Sequence, residues 1–143
     1  MKIAVINGAN LNLLGERDES KYGTTTLQSI EQKLKAKYPE IEFEFFQSNL
    51  EGVIINKLHQ LRKSDFNIII NPGGYAHSSV AIRDALEMIS QIKVEVHLSH
   101  LANRESFRQT LITATACNGY ISGFKETGYL AAVEIIKDLE NGN

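Results

Sequence analysis

The sequence predicts an α/β protein of three layers, a five-stranded parallel sheet between helices. Two observations predict it. Short β-branched runs alternate with longer segments of helical period along the 143 residues, as βαβ units require. Three of those runs are almost continuously apolar, as strands covered on both faces must be. The strands read as Lys2–Asn7, Ile41–Gln47, Phe66–Asn71, Lys93–Leu98 and Gly119–Ser122. The first, third and fourth carry the continuous runs and are expected at the centre, whereas Ile41-Glu42-Phe43-Glu44-Phe45 alternates strictly and is expected at an edge.

Between the strands, Leu27–Tyr38 places Leu27, Ile30 and Leu34 at helical spacing, and Gly52–Lys63 does the same with Val53, Ile54, Leu58 and Leu61. Ser78–Ser90 opens on capping serines and keeps Ala81, Ile82, Ala85, Leu86 and Ile89 on one side, and Tyr129–Leu139 forms the last helix. Right-handed crossovers then lead to a doubly wound, flavodoxin-like sheet of order 2-1-3-4-5. That order sets the carboxyl ends of strands one, three and four side by side, where the site of such folds lies. The segments Gly8–Thr26 and Ser99–Thr110, which follow the first and fourth strands, lack a core period. Long loops of that kind in a compact domain are usually functional.

With 43% hydrophobic and 22% charged residues and a net charge of -2, the chain fits one globular domain over residues 1–143. A core of that size needs no disulfide or structural metal. The single Cys117 points to the cytoplasm, no zinc-type spacing occurs, and the opening Met1–Gly8 run is too short for a signal peptide. No apolar run approaches a membrane span, and no basic excess suggests nucleic acid.

Three segments carry chemistry. After the first strand, Asn7, Asn10 and Asn12 crowd one loop that runs on to Arg17 and Tyr22. Asparagines also serve turn architecture. A guanidinium beside a phenol, however, favours the phenolate and makes a base of it. After the third strand, Asn71-Pro72-Gly73-Gly74-Tyr75-Ala76-His77 turns sharply before a helix, an arrangement suited to an anion or equally to a glycine turn capped by serines. In the fourth strand Glu95 and His97 share a face, so the carboxylate can orient the imidazole as an acid or base. Arg104 and Arg108 follow, and either suits an anion, hydroxyls or surface acids. No nucleophile elbow, phosphate loop or dinucleotide fingerprint accompanies them. Acid–base chemistry without a cofactor or metal is the reading that remains.

Taken in order, Gly8–Arg17 with Tyr22-Gly23, then Asn71–Asp84, then Glu95–Arg108, resemble the type II 3-dehydroquinate dehydratases across nearly the whole chain, and Gly119–Gly123 with Gly128-Tyr129 extend the likeness. The resemblance implies a cofactor-free hydro-lyase that reversibly dehydrates 3-dehydroquinate to 3-dehydroshikimate by anti elimination through an enolate, in the shikimate pathway or in quinate breakdown. It implies Tyr22 as the base, Arg17 as its partner, Asn12 as the holder of a water on the enolate, and His97, oriented by Glu95, as the acid. It assigns Asn71 and the backbone amides of Leu98 and Ser99 to the substrate carboxylate, and His77 and Arg108 to ring hydroxyls. It gives Asp84 to a neighbouring subunit's site within a homododecamer built from trimers. The segment near 15–25 becomes a mobile lid.

The chain departs from the family pattern at Ala9, Ala76, His100 and Gln109-Thr110-Leu111, none of which is a proposed catalytic group. Three other readings stand beside this one: a flavin- or phosphate-binding module, a signalling receiver, and a catalytically weakened scaffold. The first lacks a phosphate loop after the first strand, the second lacks clustered acids there, and activity alone separates the third.

Overall fold

The computed structural model describes residues 1–142. Its sheet has five parallel strands, β1 (Lys2–Asn7), β2 (Glu42–Gln47), β3 (Asn67–Asn71), β4 (Lys93–His97) and β5 (Gly119–Ser122), in the order β2-β1-β3-β4-β5. The expected order 2-1-3-4-5 and the expected edge position of the second strand are both found. Helices α1 (Glu19–Tyr22), α2 (Leu27–Lys37), α3 (Glu51–Leu61), α4 (Val80–Glu87) and α5 (Thr127–Glu140) complete the fold.

The alternation along β1 divides the core. Ile3 and Val5 face α2 and α5, where they meet Ile30, Leu34, Tyr129, Val133 and Ile136. Ala4 and Ile6 face α3 and α4 and meet Ile54, Leu58, Ile82 and Leu86. Each helix is therefore amphipathic because one layer of apolar side chains is all that it must cover. No helix among the described residues is long and apolar enough to cross a membrane.

Register brings the strand ends together: Asn7 pairs with Asn71 across β1 and β3, and His97 pairs with Ser122 across β4 and β5. The turns beyond these ends interlock. A Cβ on Gly8 would stand 2.2 Å from the Pro72 carbonyl oxygen, and Gly73 holds φ +66 with the Ala9 carbonyl against it, so only glycine fits either place. Beneath them the buried Tyr129 of α5 donates its hydroxyl to Asn7 Oδ1 at 2.5 Å and accepts from Asn71 Nδ2 at 3.1 Å. Burial pushes the Tyr129 hydroxyl far above the usual phenol range, so it stays a donor.

One local expectation is corrected. The segment after β1 is not loop throughout, because Asp18 caps a four-residue helix, α1, by accepting from the Ser20 amide at 3.0 Å. The glycine turn after β3 continues as a 3₁₀ turn, Gly73–His77, while the helix with its capping serine is found as expected, α4 starting at Val80 with Ser79 as its cap. Ser79 accepts from the Ile82 amide and donates to Glu51, so that helix start already has its partners and lies outside the cleft.

Candidate active site

β4 supplies the rigid part of the site. Side chains two apart on a strand share a face. Val94 and Val96 pack on the α5 side, and Lys93, Glu95 and His97 form a buried polar row on the α4 side. Lys93 donates to the Leu86 carbonyl at 2.9 Å and also to that of Ile89, which caps the end of α4, and burial lowers the pKa of its amine. Glu95 has no exposed surface; its Oε2 accepts from His97 Nε2 at 2.7 Å. His97 lines the cleft with Nδ1 as its remaining nitrogen.

The segment from β1 to α2 supplies the other part, a loop and one short helix anchored to the core by Leu11 and Leu14, with Tyr22 packed against it. Arg17 Nη2 donates to the Tyr22 hydroxyl at 2.8 Å, and its guanidinium carbon stands 3.8 Å from the Tyr22 ring centroid. Arg104 lies 5.4 Å from the same ring centroid and donates to Ser99 Oγ at 2.9 Å.

The Gly73–His77 turn brings His77 to the cleft with its ring 6.0 Å from that of His97. His77 Nδ1 donates to the Thr110 carbonyl at 2.9 Å, and Nε2 is buried without a partner among the described residues. Burial, helped by His97 and Arg108 nearby, lowers the pKa of His77 against the opposing pull of the Thr110 carbonyl. A neutral ring so held presents Nε2 as an acceptor for a ligand hydroxyl. Asn71 also lines the cleft, braced by the Tyr129 hydroxyl and by the Gly73 amide, which donates to its Oδ1 at 3.1 Å.

One cleft thus gathers Arg17, Tyr22, Asn71, His77, His97, Leu98, Ser99 and Arg108 of the expected set, with Glu95 directly behind His97. Asn12 is exposed on the 3₁₀ turn Leu11–Leu13 and does not line it. Asp84 points outward from α4 and pairs with Arg83. Two members come from beyond the expected set. Arg104, which sequence alone leaves level with Arg108, has a side chain only 8% exposed and packs on the Tyr22 ring. Thr113, with no motif around it, donates to the second oxygen of Glu95 at 2.5 Å.

The free volume of this cleft is about 30 Å³, room for one or two water molecules. A wider cleft of about 490 Å³ lies beside it against His100, Gln109, Leu111, Tyr120 and Phe124. Three of the departures from the family pattern, His100, Gln109 and Leu111, sit there and not in the cleft that holds the acid–base groups. No group of three or more His, Cys, Asp or Glu side chains suited to a metal ion occurs among the described residues.

Comparison with known proteins decides the family. The family described as Dehydroquinase class II matches residues 1–137. The chain belongs to the class II dehydroquinases. It is 46% identical over 144 aligned residues to a 3-dehydroquinate dehydratase of Thermotoga neapolitana, covering 99% of this chain and 97% of that protein. It is 48% identical over 136 residues to one from Clostridium botulinum, covering 94% and 92%. The crystal structure of a type II dehydroquinase from Butyrivibrio crossotus matches with a TM-score of 0.92 at 42% identity, over 96% of this chain and 97% of that one. Membership in the class II dehydroquinases sets aside the flavin-module and receiver readings.

Proposed function

We propose that the protein is a 3-dehydroquinate dehydratase, a hydro-lyase that converts 3-dehydroquinate to 3-dehydroshikimate and back. The observation that carries this reading is the pairing, in one cleft, of a phenol held by a guanidinium with a histidine held by a buried carboxylate. Elimination of water next to a ketone needs both: a base for the proton beside the carbonyl and an acid for the departing hydroxyl.

Tyr22, as phenolate, takes the proton from the carbon next to the ketone, and Arg17 holds the phenolate. The carbon–hydrogen electron pair becomes an enolate, whose oxygen is stabilised by a water that Asn12 positions; such stabilisation is commonly the largest catalytic contribution. The enolate then collapses as the tertiary carbon–oxygen bond breaks, and His97, oriented by Glu95, delivers a proton so that water leaves on the opposite face. An anti elimination follows from base and acid on opposite sides of the ring. Arg17, Arg104 and Arg108 make the cleft cationic, which suits the substrate's carboxylate. Asn71 and the amides of Leu98 and Ser99 bind that group, and His77 and Arg108 bind ring hydroxyls.

The cleft as it stands is too small for a cyclohexane ring, so residues 15–25 act as a lid that opens to admit substrate and closes to exclude water. Asn12 enters as this lid rearranges. Asp84, exposed on α4, reaches the site of a neighbouring copy in a dodecamer of trimers. The enzyme works in the cytoplasm, in aromatic amino-acid biosynthesis or quinate breakdown, with no cofactor.

The test is to incubate the purified protein with 3-dehydroquinate, free of metal and nucleotide, and follow the ultraviolet absorbance of the conjugated enone. Appearance of that band at catalytic protein concentration supports the reading. A folded protein that leaves 3-dehydroquinate unchanged overturns it and favours the scaffold.

A further inference from the structure

We infer that Thr113 is a positioning residue for the acid of this site, its hydroxyl fixing the Glu95 carboxylate that orients His97. The inference rests on the dehydratase reading above and adds a residue that no motif of the sequence marks.

Glu95 is fully buried, and an ionised carboxylate offers two oxygens that both need donors once water is gone. His97 Nε2 serves Oε2 at 2.7 Å and the Thr113 hydroxyl serves Oε1 at 2.5 Å. Lys93, next along the same face of β4, is committed to the Leu86 and Ile89 carbonyls and does not supply that donor. Cys117, close enough to feel the Glu95 charge, gives its thiol proton to the Thr113 carbonyl at 3.8 Å and is held by burial at a pKa of about 12. Thr113 is therefore the hydroxyl that keeps one side of the carboxylate occupied and stops it from rotating about its last bond, away from His97.

The neighbouring threonine shows that this is not the default behaviour of the segment. Threonine hydroxyls in short turns usually turn back onto nearby backbone carbonyls. Thr115 does so, donating to the Ile112 carbonyl at 2.6 Å. Thr113, two residues earlier in the same 3₁₀ turn Thr113–Ala116, bypasses the local backbone and reaches a strand 18 residues away. Its own exposure is zero.

The experiment compares Thr113→Val, Thr113→Ser and Thr113→Ala with wild type in the full chain, reading kcat, KM and the ¹⁵N NMR signals of the His97 ring. Removing a hydrogen bond to a charged group in the acid–base machinery is expected to lower kcat by about tenfold or more. KM should stay within about twofold, because Thr113 touches no substrate-binding group, and the His97 signals should shift toward the other tautomer. Thr113→Ser should retain most of wild-type kcat. If Thr113→Val does not fold, the serine and alanine variants still differ by the hydroxyl alone. Equal kcat and equal His97 signals in serine and alanine, or wild-type kcat in valine, overturn the inference. Absence of turnover in wild type instead overturns the dehydratase reading, while a tautomer shift in the alanine variant's ring signals would still uphold the Thr113–Glu95–His97 linkage.

Discussion

The two halves of the acid–base site are built in opposite ways. Glu95 and His97 stand on a central strand, 0% and 5% exposed, with every neighbour fixed by packing or hydrogen bonds. Tyr22 stands on a helix of four residues that no core apolar period supports, and its partner Arg17 lies in the loop before it. The difference teaches that the histidine of the pair is part of the sheet, while the tyrosine is presented by a short capped turn outside it. On the lid reading proposed above, substrate entry would leave the sheet undisturbed.

The sharpest way to break that contrast is to remove each group and read activity and stability together. Tyr22→Phe and His97→Ala are both expected to cut turnover by about 10²–10⁴-fold in the enone assay. Only the scaffold variant should also lower the urea midpoint, since Tyr22→Phe should stay within about 0.5 kcal/mol of wild type, as surface changes do. Equal destabilisation by both would end the distinction.

Glu95→Gln comes next. An amide exchanges two charge-assisted hydrogen bonds for neutral ones and turns a donor toward either His97 Nε2–H, where the bond fails, or the Thr113 hydroxyl, which must reverse and accept. A loss of stability of about 1–3 kcal/mol is expected by denaturant titration, along with a fall in kcat of about tenfold or more. An unchanged midpoint would mean that the carboxylate is not held as described.

A smaller effect probes Gly15, at the start of the proposed lid. Gly15 holds φ +101 with the Thr26 methyl 3.0 Å from a Cβ built there. Gly15→Ala should cost on the order of 1 kcal/mol and slow turnover several-fold by stiffening the lid; stopped-flow tyrosine fluorescence on substrate mixing would report the closure rate directly.

The smallest effects belong to pH. His77 has its pKa lowered in the folded protein, chiefly by burial, so the unfolded chain takes up its proton at the higher pH. Its contribution is fully present above about pH 6.5 and is lost as pH falls from there through the folded value. His77→Gln should flatten the change in urea midpoint between pH 7.5 and 5.5. Glu105 is lowered to about 2, first by its own backbone hydrogen bond and then by Arg108 and Arg104. Its contribution is present above 4.5 and disappears as pH falls through about 2, so it leaves the His77 window untouched.

The sheet was legible because its determinants are local. Ile68, Ile69 and Ile70, β-branched and in a row between turn residues, mark a covered strand, and the alternation of β2 marks an edge. Glu95 and His97 were legible because two residues apart on a strand is a fixed geometry. α1 was not, since Glu19-Ser20-Lys21-Tyr22 shows no apolar period and is fixed by the Asp18 cap and by the Arg17–Tyr22 contact. Thr113 was not, since Thr113-Ala114-Thr115-Ala116 carries no period and its partner is 18 residues away. Nor does spacing rank Arg104 above Arg108: the contact of Arg104 with Tyr22 joins two loops 82 residues apart in the chain.

The Tyr129 hydroxyl bond to Asn7, with Asn71 bonding back to it, has a bearing on synthesis. Those two asparagines end β1 and β3, and Asn71 lines the cleft, but the hydroxyl that ties their side chains together arrives 58 positions after Asn71. A ribosome-bound chain that already holds Tyr22, Glu95, His97 and all three arginines still lacks this brace between its strand ends. A nascent chain arrested before Tyr129 therefore carries most of the chemical groups of the cleft without the hydroxyl that ties its two asparagines together.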